Sequence, residues 1–180
     1  MTLLWRRLDE PGMEACRIVR YGDCWRLEGA AVFANDGVAC RADYVVVCDD
    51  AWRSLSADVS GWIGNESFDV QLLRDGAGRW LRNGVEHREL DGCIDVDLNF
   101  SPSTNTLPIR RLGLAIGASA EVSAAWLRFP SLKLERLEQT YTRLSENGYR
   151  YSSAGGSFVA ELEVDDEGLM TRYGDFWARV

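Results

Sequence analysis

The sequence predicts an all-β protein: antiparallel meanders, with signs of duplication, curled into a barrel or half-barrel with at most one or two short helices. Three observations carry that class. Turn signals recur roughly every 8 to 12 residues, the spacing of all-β domains. Several are Asn-Gly or Asp-Gly pairs, which suit tight hairpins because both central positions of a type I′ turn need positive φ. Segments between them alternate apolar and polar residues with period two, as in a strand with one face in a core.

The elements follow in order. Tyr21-Gly22-Asp23 turns into a strand at 24–33, Asn35-Asp36-Gly37 into one at 39–48, and Asp49-Asp50 into one at 51–60. Residues 68–100 read as a four-strand meander: 68–74, Asp75-Gly76, 79–82, Asn83-Gly84, 85–90, Asp91-Gly92, and 93–100. In the last strand Ile94, Val96, Leu98 and Phe100 point to a core, while Cys93, Asp95, Asp97 and Asn99 take the opposite face. One segment has a helix start, with Thr106 as cap and Pro108 in the first turn before 109–112. Leu134, Leu137, Tyr141 and Leu144 could share a helix face, but the Thr- and Tyr-rich composition and the Asn147-Gly148 ending favour strand. Gly155-Gly156 reads as a hairpin loop, because a strand and not a helix follows it. Alternation marks strands at 158–164 and 169–173. Matching Asp-Asp turns at 49–50 and 165–166 hint at two duplicated meanders. No linker or low-complexity tract divides residues 1–180, which predicts a single domain.

Composition narrows the function. The 180 residues carry 28 Asp plus Glu against 20 Lys plus Arg, a net charge of −8. That balance argues against nucleic acid and against docking on an anionic leaflet. One His excludes a metal site needing two imidazoles. The five cysteines form no C-x-x-C pair, the N-terminus lacks an apolar signal run, and no stretch reaches the ~20 apolar residues of a membrane span. A reduced, cytoplasmic protein with buried, inert thiols is expected. Asp95-x-Asp97-x-Asn99 begins like a calcium loop, but Phe100 and Thr106 stand where Gly and Glu are required. No metal or cofactor is expected, and oligomeric state is left open.

Asp95 and Asp97 share a strand face. They could form an acid–base pair, contact a polar ligand, or be neutralised by Arg110 or Arg111, pinning the intervening loop. Thr104, Asn105 and Thr106 could cap the helix or recognise a polar head group. His87 and Glu89 fall on one strand face, with no Gly-x-Ser-x-Gly elbow to support a nucleophilic triad. Seven tryptophans suit either core packing or a concave face for sugars and acyl chains. The candidate ligand contacts are Trp52, Trp80, Asp95, Asp97, Thr104, Asn105, Arg110 and Arg111.

The run Asp95, Asp97, Ser101, Pro102, then Thr104 through Leu112 (Thr-Asn-Thr-Leu-Pro-Ile-Arg-Arg-Leu) resembles the most recognisable stretch of the glycolipid-binding family of small bacterial β-rich proteins. Trp52-Arg53, Tyr149-Arg150-Tyr151 and the ending 158–180 extend the resemblance over nearly the whole chain. It implies a duplicated, curved antiparallel sheet similar to lipid-carrying half-barrels, and it supplies no catalytic residues. The leading function is therefore non-catalytic binding of a glycolipid or other amphipathic ligand in the cavity of the sheet, with segment 101–111 at its opening. A protein-interaction module is the first alternative. An enzyme using Asp95 or Asp97 with an arginine is the second.

Overall fold

The computed structural model describes residues 1–180, and its strands form one 15-stranded sheet. The first meander holds β1 (Thr2–Arg7), β2 (Gly12–Tyr21), β3 (Cys24–Asn35), β4 (Val38–Cys48), β5 (Ser54–Ile63), β6 (Glu66–Arg74), β7 (Trp80–Arg82) and β8 (Val85–Glu86). After β9 (Asp95–Leu98), the second holds β10 (Ser119–Arg128), β11 (Lys133–Arg143), β12 (Gly148–Ser153), β13 (Phe158–Val164), β14 (Met170–Tyr173) and β15 (Trp177–Arg179). Pairing of β1 with β15 welds the two meanders into a curled half-barrel.

The strand readings hold for β3, β4, β11 and β13, and Asn83-Gly84 forms its hairpin with both residues at positive φ. Three turns share one design. Asp49, Asp75 and Asp165 each donate a backbone N–H to the carbonyl four residues on, and each carboxylate accepts the N–H of that same residue. The fourth position of this turn needs a left-handed residue, which is Gly78 and Gly168 in two of them. In the third it is Trp52, at φ 64°.

The predicted four-strand meander is wrong in its second half. Only Val85 and Glu86 continue it, and a 3-10 turn at Arg88–Leu90 then buries Leu90 completely. The chain crosses over, and β9 pairs in parallel with β10 instead of antiparallel with β8. Burying the Leu90 side chain rewards this turn away from the hairpin. The free edge of β9 is capped by hydroxyls: Ser54 Oγ accepts from Val96 N–H and Thr104 Oγ1 from Leu98 N–H. Ser54 also donates its N–H to the Ile94 carbonyl, stitching β9 toward β5.

Val96, Leu98 and Phe100 are buried as expected and Ile94 is only half-buried, but the opposite face is not wet, since Cys93 and Asp95 are buried too. The segment expected at an opening is instead inside the roll. Residues 101–109 are all buried, first as a 3-10 turn at Ser103–Asn105 and then as α1 (Thr106–Leu112). They touch β2, β4 and β11, from both meanders. Thr106 does not cap the helix, because the 3-10 turn runs into it and its Oγ1 is buried without a partner. Gly113, left-handed at φ 52°, ends α1 by donating its N–H to the Ile109 carbonyl. A continuous cluster of 38 buried apolar residues fills the interior around this plug.

Candidate functional site

Alternate turns of a meander lie at the same end, so the roll has two distinct ends. The plug links them, leaving β9 at one and emerging after α1 at the other.

At the end carrying the β4–β5 and β13–β14 turns, the paired arginines do separate work. Arg111 makes a bidentate ion pair with Asp95 through its Nε and one terminal nitrogen. Burial pushes the Asp95 carboxyl up, and the Arg111 contact works against that shift. Arg110 lies 4.4 Å from the ring centre of Trp52 and donates to the Glu167 carbonyl at 2.7 Å. Trp52 stacks in turn on Trp25, centroids 4.9 Å apart. Holding a bulky residue left-handed costs about 1 to 2 kcal/mol, offset here by that two-sided stack and the turn hydrogen bonds.

The other expected residues are separated. Trp80 is fully buried with its indole N–H on the Cys93 carbonyl, so neither ring face is free. Asn105 accepts from the Tyr141 hydroxyl at 2.8 Å. Asp97 accepts from Gln139 Nε2 at 2.6 Å, and burial raises its carboxyl to about 6, helped by the Asp95 charge. The same Gln139 nitrogen reaches the Tyr151 hydroxyl. The His87–Glu89 contact forms at 2.7 Å on the exposed 3-10 turn.

Sequence reasoning missed a buried carboxyl in the middle of the roll. Glu14 Oε1 lies 2.5 Å from the Tyr44 hydroxyl and 2.6 Å from Ser101 Oγ, while its Oε2 has no partner. Burial raises it to about 8, against the pull of those two hydroxyls. Tyr44 fits because its ring lies over Gly29, where any Cβ would sit 2.3 Å from the ring. Burial likewise pushes the Cys16 and Cys48 thiols up to about 12.

The opposite end carries a pocket of about 230 Å³ that the expected residues do not reach. Phe33, Phe100 and Phe129 form one wall, packed edge-to-face at 5.1 and 5.7 Å around Phe129. Phe158, Tyr173 and Phe176 form the other, with centroids 5.7 to 6.5 Å apart. The second wall is only half-buried. Arg7, Asp9, Asn35 and Asn99 supply polar groups among these rings. Arg7 is fixed over Phe33 at 5.2 Å and over Trp177 at 5.7 Å, and pairs with Asp9 at 2.6 Å. Asn99 accepts from the Phe129 N–H through its side chain. The signal was present in the sequence. Phe33, Phe129, Phe158 and Phe176 each flank a turn, and these turns alternate along the meanders, which gathers the rings at one end.

The arrangement suits a ring with apolar faces and a hydroxylated rim. The volume exceeds the ~150 Å³ of an apolar cavity that holds benzene.

Comparison with known proteins bears on the same fold. A crystal structure of a DUF1089 family protein from Pseudomonas aeruginosa superposes with a TM-score of 0.81 at 35% identity, over 94% of this chain and 92% of that one. No curated protein matches the sequence. The family model described as "Putative glycolipid-binding" matches residues 2–179, and the chain belongs to that family.

Proposed function

We propose that the protein binds a sugar-bearing amphipathic ligand without chemical conversion, and that the saccharide occupies the aromatic end pocket. The observation that carries the reading is two walls of aromatic rings facing a small concavity with Arg7, Asp9, Asn35 and Asn99 among them. Sugar C–H faces stack on such rings, and hydroxyls need the donors and acceptors that these four side chains offer. The family description points to the same ligand class.

In this reading the expected contacts act from a distance. Asp95, Arg111, Thr104 and Asn105 hold the plug and the strand that leads into Asn99 and Phe100. Asp97, through Gln139 and Tyr151, braces the ring wall that includes Tyr173. Trp52, Trp80 and Arg110 close the opposite end. An interior acyl site is not part of the proposal, because the plug and core fill that space. No helix is long and apolar enough to cross a membrane. Five free cysteines fit a reducing cytoplasm.

Calorimetric titration with octyl glucoside below its micelle concentration, with octanol as control, tests the reading. Saturable binding of the glucoside and none of octanol is expected. Equal responses to both would reduce the pocket to a generic apolar surface.

A further inference from the structure

The aromatic end pocket offers a ligand hydrogen-bond partners but no net charge, and one pair of side chains sets that balance. Among the residues lining it, only Arg7 and Asp9 are charged. Arg7 Nε donates to Asp9 Oδ1 at 3.0 Å and Nη2 to Oδ2 at 2.6 Å, so one fork of the guanidinium engages both carboxylate oxygens. The two side chains are largely shielded, at 15% and 32% exposure. Burial pushes the Asp9 carboxyl up, but the Arg7 contact overrides that shift and holds it below the ordinary carboxylate range. The positive charge of Arg7 is therefore cancelled within the pocket wall.

Arg7 does not depend on Asp9 for its position. Its Nη1 donates to the Ala34 carbonyl at 3.1 Å, and its guanidinium lies over Phe33 and Trp177. Its Cδ sits beside Gly12, where an added Cβ would come within 3.1 Å of it. The polar groups around the pair are neutral amides. Asn99 Oδ1 accepts the Phe129 N–H, which leaves its Nδ2 as a donor. Each Asp9 oxygen keeps acceptor capacity beyond its Arg7 bond. At the rim, Asn35 donates to the Asp36 carboxylate and the Asp36 N–H donates to Glu10 Oε1, so the neighbouring turns add acid and not base.

We infer that the Arg7–Asp9 pair makes this pocket selective for an uncharged sugar, with Asp9 as the residue that excludes acidic headgroups such as uronic acids, sulfated sugars and phosphorylated lipids. The inference rests on the saccharide reading of the pocket and names the ligand class within it. A neutral sugar ring gives up hydroxyl hydration and regains hydrogen bonds on Asp9, Asn35 and Asn99. An anionic group gives up far more hydration on entering, and the one cation it meets is already neutralised. Without the Asp9 charge, Arg7 stays fixed with an open fork, which is the geometry that takes a carboxylate through two parallel bonds.

The test pairs octyl glucoside with octyl glucuronide, which share a tail and differ by a carboxylate, in calorimetric titrations of the full chain below both micelle concentrations. The wild type is expected to prefer the glucoside by about tenfold or more. Asp9→Asn keeps the size of the side chain and uncovers Arg7, and it is expected to cut that preference about tenfold through gained glucuronide affinity. Arg7→Gln/Asp9→Asn is expected to lose the gain. Equal wild-type affinities for the two ligands would overturn the inference, and that comparison needs no variant to fold. So would a folded Asp9→Asn protein that keeps the wild-type preference, or a gain that survives without Arg7. All three leave the saccharide reading standing. Absence of glucoside binding by the wild type would instead overturn that reading, and this inference with it.

Discussion

The two ends of the roll are built from opposite materials. At the β4–β5 end, charged side chains meet specific partners: Arg111 on Asp95, Arg110 on Trp52 and the Glu167 carbonyl, and carboxylate-capped turns at Asp49, Asp75 and Asp165. At the β3–β4 end, six aromatic rings face one another across a gap, and three of them stay partly exposed. Paired charges fix geometry because each lost partner leaves a costly group behind. Exposed rings are held only by area and quadrupole contacts, so they retain surface for a ligand. The difference teaches that arginines beside a recognisable motif can be structural, while the proposed binding surface forms where no single stretch of sequence is conspicuous.

That comparison can be broken first at the tied end. Arg111→Met leaves Asp95 buried without its counter-charge and is expected to cost ~3 to 5 kcal/mol, read as the shift in a urea unfolding midpoint. A loss similar to that of an exposed ion pair would mean Asp95 is not held by this contact.

The second effect lies between the ends. Glu14 is raised to about 8 from an ordinary 4.5, so between those values the folded protein holds a proton that the unfolded chain releases. Stability is therefore highest below the lower value, falls as pH rises toward 8, and levels off beyond it. Glu14→Gln is expected to flatten this slope, with the variant losing less melting temperature than the wild type between pH 6 and pH 9. Parallel curves would show that Glu14 is ionised when folded.

Smaller effects sharpen the contrast. Phe176→Ala, at the aromatic end, is expected to cost about 1 to 2 kcal/mol of stability while abolishing glucoside binding. Unchanged binding would move the ligand elsewhere. Arg110→Met is the mildest, about 1 kcal/mol for the stack on Trp52, with glucoside affinity unaltered. A loss of affinity there would shift the site to the tied end.

Much of the sheet was legible because local rules and global packing agree. Asn83-Gly84 turns where its φ angles allow it, and Phe158 to Val164 alternates as its burial does. What escaped was long-range. The alternation of 93–100 is sound, yet its partner is β10 across a buried crossover, and pairing direction leaves no trace in period two. Ser101, Ser103, Thr104 and Asn105 read as loop residues because their side chains are polar. They are buried because Glu14, Tyr44, the Leu98 N–H and Tyr141 satisfy them, partners contributed from three other strands and from β9. The expectation of an Arg–Asp pair succeeded since opposite charges sixteen residues apart needed only that the plug fold back along β9.

The account's central claim is that the ligand sits at the aromatic end and not at the arginine end. Backbone amide chemical shifts followed by NMR during titration with octyl glucoside test it most directly. The account predicts saturable shifts clustered at Asn35, Asn99, Phe129 and Phe176, with Asp49 to Arg53 and Asp58 to Asp69 unmoved. Shifts concentrated around Trp52, Arg110 and Gly168, with the aromatic end silent, would contradict it.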